Sequence, residues 1–440
     1  MKFTFIFICF LIGYVKSILN FKNSRFPKIT GFFGLIGPNV ERKKTNSFFD
    51  LFIGDGMIYG VFIEKGKITP VTHLVETEKI LYEKKNRKLS KNFMMMPLYI
   101  LLNKLNLLPN VMGLANTAFL DNDISISQDK KNILATCEMD KPYAIELDFT
   151  KKDIKTLSKV NTTIEHFSAH SKYDKINKKI YSIDYNPVTN KVTYYELDNI
   201  CKNILFKNEF TTKYSPNVHD FIIFDNNLIF IEPPLVWNFL ERIPLIFDKL
   251  RETYIIIYDL KMKKIEKYNY KNNGFFMFHY ADIQKKDNDI LEIYAPLYDN
   301  FSFSSLEVNG KYRKIIINKK TKEIIIEKNE ELEKMNLDFP KKWKDYILLL
   351  KFNGKLIDEL VLCKKLNIIK NIKLPKNRYL CGEPQIVEHN FIPYVIGILF
   401  DSDDNGYFFS FDMFNIDNSY IEIKLDYKPN IGFHSIFINK

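Results

Sequence analysis

No CxxC pair occurs among the five cysteines, no Pro/Gly/Ser-rich linker divides the 440 residues, and no WD or kelch signature marks a repeat. The first absence excludes a zinc ribbon or redox pair, and four isolated cysteines (137, 201, 363 and 381) beyond Cys9 cannot form the disulfide scaffold of so long a chain. The second makes a single domain the economical reading. Nucleic-acid recognition also lacks its mark: the net charge is +11, but the lysines are spread along the chain and fall in turns such as "LKMKKIE" at 260–266 and "NKKTKE" at 318–323, with no accompanying motif. A nucleic-acid partner is therefore not expected, whereas some attraction to an anionic membrane surface is compatible with the charge.

What is present is apolar and aromatic. Hydrophobic residues make up 46% and aromatics 15%, enough for a large core and too much for a disordered chain. The N-terminus "MKFTFIFICFLIGYVKS" has the shape of a secretory signal peptide over residues 1–17 and is too short for a stable spanning helix, leaving 18–440 as the folded domain. Its competing reading is a buried first strand. A signal peptide would direct the chain to the secretory route, or to a plastid reached through it; a cytoplasmic protein is the alternative.

From about residue 45 the chain alternates short runs of Ile, Val, Phe and Tyr with polar turns, as in "KIYSIDYNPVTNKVTYYEL" at 179–197, "TYIIIYDLKMKKIEKYNY" at 253–270 and "YRKIIINKKTKEIIIEK" at 312–328. Close, regular strands with Asn, Asp, Gly and Lys at the turns specify an all-β sandwich, barrel or propeller. The length is too great for one sandwich and suits a propeller with blades of roughly 40–50 residues. One segment breaks the rhythm: "KNFMMMPLYILLNKLNLLPNVMG" at 91–113 reads either as a buried helix or as an interfacial patch through which an apolar molecule passes from a membrane.

Histidine is scarce, so its placement is informative. Four of the seven lie just before or within turn-flanked segments: "FSAHSKYD" at 167–174, "SPNVHDF" at 215–221, "FMFHYAD" at 276–282 and "IGFHSIF" at 431–437. The intervals of 49, 60 and 155 residues are one, one and several blade lengths. A propeller gathers the starts of its innermost strands around one axis, so histidines a blade apart can converge, and an all-imidazole set suits Fe, Zn, Cu or Ni. Within this scheme "IIFDNN", at 222–227, begins a hairpin whose Asp-Asn-Asn turn tolerates positive φ, and Asp220 is a structural acceptor, not a ligand.

These four motifs, in this order, resemble the four histidine motifs of the carotenoid cleavage oxygenase family. "FFDLFIGDGMIYGVF" at 48–62, "GLANTAF" at 113–119, "GEPQIV" at 382–387 and "DDNGYFFSF" at 403–411 resemble further motifs of the same family, so the likeness runs from about Lys28 to the C-terminus. The resemblance implies a seven-bladed β-propeller capped by loops and helices over an axial Fe(2+), with His170, His219, His279 and His434 as ligands. It also implies three carboxylates behind the imidazoles: Glu138 in "TCEMDKPY", Glu383 in "GEPQ", and Asp338 in "LDFPKKW", where the family usually has Glu. A metal-bound imidazole that donates its other N–H to a carboxylate is fixed in tautomer and made more basic, which is the physical reason for such partners. Other departures are "GLIGPNV" at 34–40, which lacks the usual Arg-Asn, Asp282 where Asn is usual, and Asn405 for Asp.

The activity implied is O2-dependent cleavage of one double bond of a carotenoid, apocarotenoid or related apolar polyene to two carbonyl products, with no catalytic side chain beyond the metal centre. Phe and Tyr suit the wall of a dry tunnel for such a substrate. Cleavage of a stilbene and isomerohydrolysis of a retinoid ester are alternatives within the resemblance. From another class, a propeller binding a membrane or a protein without chemistry remains, against which the retention of all four histidines speaks. Peripheral membrane association through 91–113 is the further expectation.

Overall fold

The computed structural model describes residues 19–20, 27–90, 95–111, 114–241 and 243–440. The expected signal peptide at 1–17 lies outside the described residues. The remainder is built of seven antiparallel sheets and one small two-stranded ribbon. Blade one takes its innermost strand from the end of the chain, Ser435–Asn439, followed outward by Thr30–Pro38, Gly56–Glu64 and Lys67–Leu74. Blade two runs from Ala118–Ser127 to Asp153–Lys159, blade three from Lys172–Asp174 to Ile204–Thr211, and blade four from Ile222–Phe224 to Lys264–Tyr270. Blade five spans Asp282–Lys285 to Glu323–Glu327, blade six Leu337–Trp343 to Asn367–Lys373, and blade seven Tyr379–Leu380 to Ile421–Lys424. This is the seven-bladed propeller that the family resemblance implies.

The hairpins form where turn chemistry and apolar runs agree. Lys179–Asn186 pairs with Lys191–Asp198 without a break in register, and Ile222–Phe224 pairs with Asn227–Glu232 across Asp225 and Asn226 at φ 47° and 57°. Two consecutive residues at positive φ make the tight turn whose twist matches that of the strands it joins. The middle strands read as continuous apolar runs because both of their faces are buried. In blade four, Ile229, Ile231, Ile255 and Ile257 pack on blade five, while the alternate residues Leu228, Phe230, Ile256 and Tyr258 pack on Ile183, Val192 and Tyr194 of blade three.

The connections on one end of the propeller form the cap. Helix α1, Phe48–Phe52, begins with a capping box between Ser47 and Asp50. Its final carbonyls are gathered by the Asn116 amide, which donates to Gly54 O at 2.6 Å and to Leu51 O and Phe52 O at 3.3 Å. Asn116 thus does for α1 what orphan helix carbonyls require. Gly56 is needed at the same junction, since a Cβ there would meet the Ala115 carbonyl oxygen at 2.2 Å.

Helices α2, Glu78–Lys85, and α3, Met96–Lys104, complete the helical part of the cap, and Leu235, Leu245 and Phe247 of the ribbon Leu235–Trp237 with Leu245–Phe247 pack in one cluster with Phe48 and Phe52 of α1. The 91–113 segment is not a fully buried helix. Residues 91–94, 112 and 113 fall outside the described residues, and α3 buries Met96 and Tyr99 while Leu101, Leu105 and Leu107, on and just after it, are 54%, 58% and 64% exposed. Among the described residues no helix is long and apolar enough to cross a membrane.

Candidate metal centre

Each blade sends one polar side chain to the axis. His170, His219 and His279 stand two or three residues before the innermost strands of blades three, four and five, and His434 immediately precedes that of blade one. Asp338 comes from the innermost strand of blade six, Glu383 from that of blade seven, and Glu138 from the connection between the second and third strands of blade two. The four imidazoles expected as ligands are brought together: one nitrogen of each lies within 4.8 Å of the others. His170 Nε2 is 3.1 Å from His219 Nε2, and His279 Nε2 is 3.2 Å from His434 Nε2.

Those separations fit one metal ion. Two nitrogens each about 2.1 Å from an ion and at right angles about it stand about 3 Å apart. The donor set is all nitrogen, which suits a divalent first-row metal. The other three histidines are elsewhere: His73 Nε2 meets Thr156 Oγ1 at 2.7 Å, His166 Nδ1 meets Asp184 Oδ1 at 3.1 Å, and His389 ends a strand of blade seven.

Three of the four rings have the expected carboxylates behind them. His219 Nδ1 lies 2.6 Å from Glu138 Oε1, His279 Nδ1 2.8 Å from Asp338 Oδ1, and His434 Nδ1 3.4 Å from Glu383 Oε2. Asp338 therefore reaches its histidine directly although it is one methylene shorter than Glu. The reason is a bulge: pairing with the neighbouring strand shifts between Asp338 and Lys341, and Phe339 adopts φ 53°. Blade seven uses the same device. Its innermost strand pairs at Tyr379–Leu380 and again from Gln385, and between them Glu383 N donates to Phe433 O at 3.0 Å, which carries the carboxylate to His434.

A further circle of groups, not anticipated from the sequence, fixes the carboxylates. The buried Tyr298 hydroxyl donates to Asp338 Oδ2, and Phe339 N donates to Oδ1 at 2.7 Å. Lys341 Nζ lies 2.9 Å from Glu383 Oε2, and Ser435 N donates to the same oxygen at 3.0 Å. Asp220 is the structural acceptor expected of it, taking Lys172 Nζ at 2.6 Å and Tyr280 N at 3.3 Å. Asp282, standing where Asn is usual, accepts from Lys342 and from Gln284.

Burial and charge set the protonation of the site. Burial pushes the Glu383 carboxyl up, but Lys341 and His434 more than offset it and hold the group at about 2. Burial pushes the Glu138 carboxyl up, but the adjacent His219 outweighs it and leaves the group below its ordinary value. Burial and the neighbouring imidazoles lower His170 well below the ordinary histidine value, and burial takes His434 to about 4 despite Glu383. His279 is raised, because Asp338 overcomes the effect of burial. An imidazole that resists protonation keeps its lone pair available to a metal.

Apolar space adjoins the centre on two sides. A cavity of about 220 Å³ bordered by Glu138, Tyr185, Ile243, Leu245 and Phe303 touches His219. A smaller one of about 40 Å³ touches His219, His279 and His434 and shares Phe52, Thr117 and Phe278 with the first. A third, of about 110 Å³, shares Phe48, Val308, Phe339 and Phe433 with the second and reaches blades six and seven. Phe278 stands over the imidazoles, its ring centroid 5.1 Å from that of His219 and 6.0 Å from that of His279. The three spaces thus adjoin one another beside the histidines.

Comparison with known proteins agrees with this arrangement. Residues 27–439 match the model of the retinal pigment epithelial membrane protein family. The carotenoid 9,10(9',10')-cleavage dioxygenase 1 of Phaseolus vulgaris is 27% identical over 288 residues, which cover 60% of this chain and 51% of the relative. The chain thus spans about half the length of the curated relatives it matches. Among solved structures, a variant of the apocarotenoid oxygenase of Synechocystis superimposes with a TM-score of 0.74 at 15% identity, and the lignostilbene dioxygenase of Pseudomonas brassicacearum with 0.75 at 15%, each over 97% of this chain and 95% of the other. At that identity the structural likeness establishes the fold.

Proposed function

The chain belongs to the carotenoid cleavage oxygenase family, and on that premise we propose that it is a non-haem Fe(II) dioxygenase that splits one carbon–carbon double bond of an apolar polyene or stilbene-like molecule into two carbonyl products. The observation that carries this reading is the convergence of four imidazoles, three of them backed by carboxylates, on an apolar path. Iron bound there would supply the activation of O2, both atoms of which enter the products.

The side chains have separate tasks. His170, His219, His279 and His434 would hold the metal, and because none is anionic they leave its charge undiminished. Asp338 accepts from the outward nitrogen of His279, and Glu138 and Glu383 stand 2.6 and 3.4 Å from those of His219 and His434, which favours rings whose inward nitrogens are unprotonated and aimed at the axis. Phe52, Phe278 and Thr117 border the space beside the histidines, where they exclude water and orient the double bond. No side chain needs to give or take a proton.

The substrate is proposed to arrive from a membrane surface. Besides the α3 segment, Phe239 and Leu240 at the tip of the ribbon are 81% and 97% exposed, while Ile243 and Leu245 of the same ribbon border the cavity beside His219. Exposed apolar surface next to the mouth of an apolar path suits peripheral docking.

The test is iron content and product analysis on protein purified and loaded with Fe(II) without oxygen. About one iron per chain, lost in His219→Ala, and 18O from O2 in both carbonyl fragments would support the reading. Wild-type protein that takes up no metal would overturn it, and oxygen incorporation from water alone would shift it to isomerohydrolysis.

A further inference from the structure

The turn that carries Glu138 is tied to the cap. Strand Lys130–Thr136 ends just before Cys137, and Glu138 then points to His219 while Met139, the next residue, sits in the left-handed region at φ 70°. A long side chain rarely rests there without an external hold. The hold is visible: Asn110, which follows α3, donates its amide Nδ2 to the Met139 carbonyl at 2.8 Å. On the other side of the turn, Asp140 is fixed by Lys159 at 2.8 Å, and Lys159 in turn reaches Glu78, the first residue of α2, at 2.9 Å. Asn110, in the segment after α3, thus holds Met139 directly, and α2 reaches Asp140 through Lys159.

We infer that Asn110 is a positioning residue of the metal centre: by fixing the Met139 carbonyl it maintains the left-handed turn that aims Glu138 at His219. The inference rests on the proposed metal site and adds to it a residue some 28 positions upstream of Glu138. Without the amide, Met139 relaxes out of its left-handed conformation, the Glu138 carboxylate swings from Nδ1 of His219, and that imidazole loses its orientation. Metal is then retained less well, because losing the carboxylate partner of a ligand histidine weakens metal binding by about 10–100-fold.

The experiment uses the full chain loaded with Co(II), and follows transfer of the metal to excess EDTA through the visible spectrum of the bound ion. Asn110→Ala and Asn110→Asp, neither of which can donate to the carbonyl, are expected to release Co(II) about 10-fold faster than wild type. Glu138→Gln is expected to do so at least as strongly, and the Asn110→Ala/Glu138→Gln double variant no faster than Glu138→Gln alone, since both changes act through one contact. Asn103→Ala is the control: Asn103 Nδ2 donates to Leu108 O at 2.9 Å within the same segment and leaves Met139 untouched, so its release rate should equal wild type. Wild-type rates in both Asn110 variants, multiplicative effects in the double variant, or equal acceleration by Asn103→Ala would each overturn the inference. Those outcomes differ from failure of the proposed function, in which wild-type protein would hold no Co(II) to release.

Discussion

Asp338 Oδ1 lies 2.8 Å from His279 Nδ1, while its other oxygen takes the Tyr298 hydroxyl, so a side chain shorter than the family's usual Glu is doubly engaged within a buried strand. The bulge at Phe339 has already moved the backbone toward the histidine. Restoring the longer side chain is therefore not a repair. Asp338→Glu is expected to overpack the site and cost about 1–3 kcal/mol of stability. Asp338→Ala should weaken metal binding by about 10–100-fold. Thermal unfolding of the metal-free variants and chelator competition on the loaded ones measure the two effects, and a Glu variant as stable as wild type would contradict the role of the bulge.

The Asn405 departure has a similar logic. Asp401 accepts from Asp403 N and Asn405 N at 2.9 Å, from the Asn405 amide at 3.0 Å and from the Tyr407 hydroxyl at 2.8 Å. Burial pushes the Asp401 carboxyl up, but these donors outweigh it and hold the group at about 2, below its ordinary 3.8. The folded state thus binds the proton less readily than the unfolded chain, so the stability contributed by Asp401 is complete above about pH 4 and lost as pH falls through about 2. Asn405→Asp replaces an amide donor with a second carboxylate. It should destabilise by about 1–2 kcal/mol at pH 7, and the deficit should shrink as the pH is lowered toward 4 and the carboxylates begin to protonate. Denaturant unfolding across that range reads it, and a deficit that grew on acidification would be the wrong sign.

Asn116 links two motifs that sequence alone leaves separate. Its amide closes the end of α1, whose Phe48 and Phe52 border the cavities at the histidines. Asn116→Ala should cost about 1–2 kcal/mol through the released carbonyls. It should also raise KM for an apolar substrate while leaving metal content unchanged, because the ligand strands do not depend on it. Iron assay alongside steady-state kinetics separates these effects.

If docking to a membrane delivers the substrate, polar residues in the exposed apolar surface should abolish it without disturbing the centre. Leu101→Asp with Phe239→Asp removes two large apolar side chains, each worth about 1.5–3 kcal/mol when buried, so vesicle affinity should fall by at least 10-fold. Co-sedimentation with liposomes measures this, and metal content reports that the axis is intact. Unchanged sedimentation would sink the docking reading.

Much of the architecture was legible because strand, turn and core signals coincide in the same residues. The Asp-Asn-Asn turn, the Ile-rich middle strands and the histidines at blade spacing each say the same thing, and the structure places them accordingly. The reach of Asp338 was not legible, since a bulge is a matter of pairing between Leu337–Trp343 and Tyr346–Asn353 that neither strand announces alone. Nor could the sequence say that 91–113 would leave one side of a short helix exposed, because an unbroken apolar run has no periodicity to divide buried from exposed positions. Tyr298 carries no motif at all. It becomes part of the site only when blades five and six are adjacent.

Blade one is closed by strands far apart in sequence. Thr30–Pro38 pairs with Ser435–Asn439, and His434 stands at the entrance to that final strand. His434 therefore takes its place on the axis only when Ser435–Asn439 pairs with Thr30–Pro38, a strand from the other side of the sequence. Until that pairing forms, no more than three of the four histidines can converge, so a metal that needs all four imidazoles would be denied its full set until the ring has shut.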